Sequence, residues 1–140
     1  MDESVRRALA RDRLIDITTT GRRSGRPRRI ETWFYRSEGR VYLTGLPGRR
    51  DWYANLVAHP AFVLHLKESL VADLPARATP ITDEAARRMI LAPIVAELGR
   101  PGELEAWVAG SPLLAVDFGV AADPPAVTDP GADGGGGARS

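Results

Sequence analysis

Between Leu14 and Ala78 the chain is cut into short, β-branched segments of period two separated by turn residues, which leaves little choice but an antiparallel sheet. Leu14–Thr20 (LIDITTT) alternates apolar and polar residues, and Gly21–Pro27 (GRRSGRP) is turn chemistry. Arg28–Arg36 (RRIETWFYR) reads as one strand, with Ile30, Thr32 and Phe34 on one face and Glu31, Trp33 and Tyr35 on the other. Ser37–Gly39 turns the chain into Arg40–Leu46, and Pro47–Arg50 is a loop. Asp51 is positioned to cap a short helix, WYANLVAH, that Pro60 stops. Ala61–Lys67 and Leu70–Ala78 follow as strands, with Pro75 expected at an edge or bulge. Thr82 is expected to cap one long helix, Asp83–Leu98, which Gly99 and Pro101 end and Pro93 kinks or splits. A short helical piece, Glu103–Val108, precedes a last strand, Leu113–Phe118.

Strand, crossover helix, strand does not recur, which excludes a doubly wound parallel sheet. The order predicts an α+β fold: a mainly antiparallel, six-stranded barrel with the long helix and the short helices packed outside. Residues 1–119 make this one domain. Residues 120–140 hold Pro, Gly, Asp and Ala without aromatics and are expected to be a disordered tail.

Whole classes of chemistry fall away on composition. There is no cysteine, so disulfides, thiolate catalysis and iron–sulfur ligation are excluded. His59 and His65 lack metal-ligand spacing. No apolar run is long enough for a membrane span, and MDESVRRALARDR lacks the apolar centre of a secretory signal, so the cytoplasm is the expected compartment.

Charge is strongly partitioned. Residues 1–50 carry thirteen Arg against six Asp and Glu, a balance of +7, whereas residues 51–140 carry six Lys and Arg against twelve acids, a balance of −6. Lys67 is the single lysine. Arginine presents a planar fork suited to phosphate and carboxylate.

Two constellations gather this charge. In Thr18–Arg29 (TTTGRRSGRPRR), Gly21 and Gly25 permit backbone N–H groups to converge on an anion, and Arg22, Arg23, Arg26, Arg28 and Arg29 flank them. Thr19, Thr20 and Ser24 add hydroxyls. The plain alternative is a solvated hairpin loop. In Gly45–Asn55 (GLPGRRDWYAN), a glycine loop runs into a helix N-terminus beside Arg49 and Arg50. Trp52 there either plugs the core or walls a flat ligand. His65 reads as a packed or surface residue, His59 as a partner for late helix carbonyls, and Glu31 as the partner of a neighbouring arginine. No Ser/His/Asp or paired-carboxylate set is recognisable by spacing, so chemistry here requires a cofactor.

TTTGRRSGRPRR, the WFY strand, GRVYL, the glycine loop, DWYANLVAHP and AFVLHLK, in that order, resemble the deazaflavin-dependent nitroreductase and quinone reductase family. The likeness spans roughly Leu14 to Gly119 and implies a split β-barrel related to FMN-binding proteins. It implies coenzyme F420 as cofactor, in preference to FMN. Arg22, Arg23, Ser24 and Arg28 would hold its phosphate and oligoglutamate tail, Trp33 and Thr44 would lie along its groove, and Trp52 with Asn55 would organise the wall. The implied reaction is hydride transfer to a quinone, nitroaromatic or enone. Many members carry a longer loop beginning Ser-Lys-Gly-Gly; this chain has Gly45-Leu46-Pro47-Gly48, with Arg49 and Arg50 the cations in that place. Two other readings stand beside it. One is a small-molecule binding or non-redox biosynthetic protein on the same barrel. The other is a nucleic-acid-binding barrel, which the −6 balance of residues 51–140 disfavours. The expected partner is therefore a small molecule rather than nucleic acid or membrane, and assembly as a homodimer is left open.

Overall fold

The computed structural model describes residues 1–119, so the expected tail at 120–140 lies outside the described residues. In chain order the elements are α1 (Glu3–Arg11), β1 (Leu14–Thr20), β2 (Pro27–Trp33), β3 (Tyr35–Ser37), β4 (Arg40–Thr44), α2 (Asp51–Ala58), β5 (Ala61–Leu66), β6 (Ala72–Pro80), α3 (Glu84–Glu97), a 3₁₀ turn (Pro101–Glu103), α4 (Leu104–Gly110) and β7 (Leu113–Phe118). The strands form one sheet in the order β2-β1-β5-β6-β7-β4-β3, and every pairing is antiparallel.

That order forces the shape. β2 and β3 stand at opposite edges of the sheet, yet Phe34 alone separates them in the chain. The sheet must therefore curl until its two edges meet at that residue. Phe34 is 2% exposed, its N–H donates to the Arg13 carbonyl at 3.0 Å, and the Arg36 guanidinium lies 5.1 Å from its ring centre. The predicted strand Arg28–Arg36 is thus two strands bent at Phe34, which makes seven strands where six were expected. The α+β class and the antiparallel, curled sheet stand.

Inside the curl, Ile15, Ile17, Leu43, Leu64, Leu66 and Leu114 are at most 1% exposed, with Ala8 and Leu9 of α1 and Leu56 of α2 completing the cluster. A second cluster lies on the other face of β4 and β7, where Tyr42, Leu113 and Ala115 meet Leu91 and Val95 of α3 and Trp107 of α4. β7 is buried on both faces, which is why LLAV reads as a continuous apolar run rather than an alternation.

Local chemistry explains where the helices differ from expectation. α1 is absent from the sequence reading. Its signals are an Asp2 cap accepting from the Ser4 N–H and the i, i+3, i+4 set Val5, Ala8 and Leu9, masked by arginines on the outer face. Asp51 lies inside α2 rather than capping it; Arg50 takes the cap position without a side-chain bond. Asp83, not Thr82, caps α3, accepting from the Ala86 N–H at 2.9 Å. Pro93 does not split α3: the carbonyl it leaves unbonded belongs to Met89, which is 72% exposed and open to water. The helix ends at Gly99 (φ 75°), with Arg100 N–H donating to Val95 and Gly99 N–H to Ala96, a Schellman motif. Pro75 sits on an interior strand, but pairing of β6 with β7 begins only at Ala76, so its β7 side is locally an edge.

A polar ladder crosses the outer face of β2, β1 and β5. Asp16 accepts from Lys67 Nζ at 2.7 Å and from Arg29 Nε at 3.0 Å, and Lys67 also donates to Glu31. Glu31 therefore pairs with the lysine rather than with an arginine. The Lys67 ammonium, and after it Arg29, holds the Asp16 carboxyl below its ordinary 3.8 despite the opposing effect of burial.

Two outcomes follow for stability. Phe34→Ala should lower the free energy of unfolding by about 3–5 kcal/mol, read by urea titration; a loss near zero would mean the corner closes without the ring. Asp16→Asn should cost about 0.5–1 kcal/mol at neutral pH, discounted for solvent. A carboxyl with a depressed folded pKa stabilises above its unfolded value and ceases to as pH falls through the folded one. The gap to wild type should accordingly close below its ordinary 3.8. A gap that persists at the acid end would show that the asparagine NH2 group, set against the Lys67 and Arg29 donors, and not the lost charge, causes the difference.

Candidate functional site

The arginine hairpin between β1 and β2 folds against the start of α2. Together they enclose a groove of about 360 Å³ lined by Arg22, Arg23, Ser24, Arg28, Trp52 and Asn55, among others. Six of the ten sequence-predicted residues meet there.

Asn55 is the hinge pin. It is 5% exposed, and its Oδ1 accepts from both the backbone N–H and Nη1 of Arg22 at 3.0 Å. Its Nδ2 donates to Thr19 Oγ1 at 3.3 Å. Arg22 Nη2 lies 3.4 Å from Asp51 Oδ1, so the Arg22 fork is engaged within the protein. The hairpin loop closes on itself as well. Gly21 N–H donates to the Arg26 carbonyl, Gly25 N–H to the Gly21 carbonyl, and Arg26 N–H to Ser24 Oγ. The expected backbone nest is therefore largely used internally. Gly25 has φ 71°, as expected, whereas at Gly21 a Cβ would lie 2.5 Å from Ser24 Oγ, so a side chain there would turn that hydroxyl away from the Arg26 N–H.

What remains free is side-chain charge. Among the described residues Arg23, Arg26 and Arg28 have no acidic partner within salt-bridge distance. Exposed cations without counter-ions beside a hydroxyl suit a flexible polyanion. Trp52 packs partly against the main core and also lines the groove.

Beyond α2 opens a larger cleft of about 1040 Å³, lined by Arg49, Arg50, Tyr53, Val57, Ile81 and Val108 among others. Its far wall is α4 and the Ser111–Pro112 link that leads into β7. Arg50 folds back over the glycine loop, Nη2 donating to the Leu46 carbonyl at 2.9 Å, and a Cβ on Gly45 or Gly48 would lie 3.1 or 3.2 Å from its guanidinium. Gly48 N–H donates to the Gly110 carbonyl, tying the loop to α4. Thr44 lines neither space. It is 3% exposed and its hydroxyl donates to the Pro112 carbonyl, fastening β4 to the base of the cleft. Trp33 lies at the other end of β2, six residues or roughly 20 Å from Pro27. It stands instead with Arg11, Arg13 and Glu68, its ring 5.8 Å from the Arg13 guanidinium.

Arg87 was not singled out by sequence. Half-buried, it donates to four carbonyls, those of Ile81, Trp107, Val108 and Ser111. Burial lowers its pKa. The signal was present: an arginine on the stripe of Leu91, Ile94 and Val95 at helical spacing. Ser111, 5% exposed, lines the same cleft, and its Oγ has no partner among the described residues. Strand register also builds a cluster that spacing hid. His65 faces Asp73 across β5 and β6, with Nδ1 2.7 Å from Asp73 Oδ1 and Nε2 2.7 Å from Thr18 Oγ1. Thr18 alternates with Thr19 and so faces away from the arginine groove.

A family model described as F420H(2)-dependent quinone reductase matches residues 3–99. Among solved structures, a conserved hypothetical protein, Rv2991 from Mycobacterium tuberculosis, is similar at TM-score 0.65 and 14% identity, over 85% of this chain and 81% of that one. An F420-H2 dependent reductase, FDR-A, is similar at TM-score 0.55 and 20% identity, over 76% and 95%. The heme storage protein HutZ from Vibrio cholerae is similar at TM-score 0.62 and 10% identity, over 84% and 89%. At these identities the structural likeness speaks for the fold.

The Asn55 pin makes its own prediction. Asn55→Ala leaves the Arg22 N–H and Thr19 hydroxyl without their partner and should cost about 1–3 kcal/mol. Hydrogen exchange at the Arg22 amide should accelerate by more than at β1 amides; equal acceleration throughout would mean the loop is not held locally.

Proposed function

The chain belongs to the F420H(2)-dependent quinone reductase family, and we propose that it is an oxidoreductase carrying a hydride from reduced F420 to a small organic acceptor of quinone, nitroaromatic or enone type. The observation that carries this reading is the adjacency of two complementary spaces across the first turn of α2. One is a groove with free arginines, the other an apolar-walled cleft of about 1040 Å³. F420 joins a flat ring to an anionic phosphate and glutamate tail, and those two halves ask for these two surroundings.

The residues fit the cofactor at the tail. Among the described residues Arg23 and Arg28, which line the groove, and Arg26 on the same loop have no counter-ions of their own, and Ser24 keeps its hydroxyl proton while accepting from Arg26. Arg22 acts at one remove, because its fork and amide are held by Asn55 and Asp51; it positions the loop. The ring and acceptor are assigned to the larger cleft, where Tyr53, Val57 and Val108 shield them from water. When bound, the reduced deazaflavin supplies the hydride. The protein's part is to hold ring and acceptor in contact and to keep the tail fixed. Thr44 and Gly48 serve this by locking the base of the cleft. Trp33, at the far end of β2, is outside both spaces and is not needed by this reading.

The test is fluorescence titration of F420, with FMN alongside. F420 should bind and FMN more weakly. Arg28→Ala should reduce F420 affinity by about 1–3 kcal/mol with an unchanged melting temperature. Raising salt should weaken F420 only modestly, whereas a nucleic-acid protein would lose affinity for an oligonucleotide steeply. Failure of F420 to bind, with salt-steep oligonucleotide binding, would overturn the reading.

A further inference from the structure

The charges around the larger cleft do not balance. Three arginines line it, Arg49, Arg50 and Arg87, against two acids, Glu84 and Glu105. Both acids are engaged elsewhere: Arg88 holds Glu84 at 2.9 Å and Glu105 at 2.6 Å. Among the described residues none of the three lining arginines has a carboxylate of its own. The cleft is therefore walled by apolar side chains yet sits in a positive field.

The three cations are not equivalent. Arg87 and Arg50 direct their N–H groups at backbone carbonyls, which orient the forks without cancelling the charge. Arg87 is half-buried, and a cation removed from water without an anion is stabilised by any anion that enters its space. Arg49 alone has no side-chain hydrogen bond among the described residues, and it stands exposed at the rim. The field thus favours an anion, while a single free fork limits how much anion is held. Val57, which is 51% exposed, Ile81 and Val108 set the remainder of the ligand as apolar.

We propose that the acceptor side of this cleft takes compact apolar organic acids, a ring-sized hydrophobic body bearing one carboxylate or sulfonate that Arg49 grips. The proposal rests on reading the cleft as the acceptor site, and it narrows the acceptor from neutral ring compounds to singly charged anions. Arg49 is then a specificity residue rather than a cofactor-tail ligand.

A matched pair of probes tests this without F420. 1-Anilinonaphthalene-8-sulfonate and neutral N-phenyl-1-naphthylamine share a hydrophobic body and differ in charge, and both brighten when bound. Titrated into the full chain, the sulfonate should bind about tenfold tighter than the amine. Arg49→Gln should weaken the sulfonate about fivefold and leave the amine unchanged, the loss expected of one partly exposed charge-assisted contact. Arg23→Gln, in the other groove, should change neither. Equal affinity of the two probes, a sulfonate effect that follows Arg23 instead of Arg49, or no saturable binding would each overturn the proposal. F420 titrated separately into the Arg28→Ala protein tests the cofactor reading, so the two can fail independently.

Discussion

A single covalent constraint governs this molecule: strands at opposite edges of the sheet are consecutive in the chain, with Phe34 alone between them. A flat sheet cannot satisfy it. The curl that does creates an interior for the branched side chains of β1, β5 and β7, and it leaves two mouths. One is closed by α1, which Arg36 fastens through the carbonyls of Leu9 and Asp12. Near the other, α2 lies against the arginine hairpin, and the two candidate spaces open on either side of its first turn. The site is a by-product of closing the sheet.

The arginines sort by what they touch. Arg29, Arg36, Arg87 and Arg88 have their forks engaged by carboxylates or carbonyls and hold elements together. Arg23, Arg28 and Arg49 have no such partners among the described residues and border the two spaces. Clustering in sequence marked the first half of the chain as basic but could not make this division, because partners such as Asp51 and Asn55 arrive from far along the chain.

What sequence made legible follows the same line. β1 and β7 fall where alternation and apolar runs put them, and the hairpin groove gathers the residues that the motif named. Periodicity reads local preference, and these features are local. The break at Phe34 is not: Arg28–Arg36 is an unbroken strand by pattern, and only the need to reach both edges bends it. The family resemblance implies Trp33 along the cofactor groove, whereas the length of β2 sets it outside both candidate spaces, beside Arg13 and Glu68. Likewise the Thr18–His65–Asp73 line exists only once register sets β5 between β1 and β6.

The position of β7 bears on how such a chain comes to fold. Residues up to Pro80 contain β1, β2, β5 and β6, which are mutual neighbours and can pair as soon as they exist. The hairpin of β3 and β4 has been made by then, but its only place in the sheet is beside β7, near the end of the described chain. On a ribosome it would wait, tethered at Phe34, with the inner face of the half-sheet uncovered until Leu113–Phe118 emerges. Long-range pairings of this kind slow folding and lengthen exposure of apolar surface. A nascent chain stalled before β7 is therefore the species for which chaperones would be expected to compete.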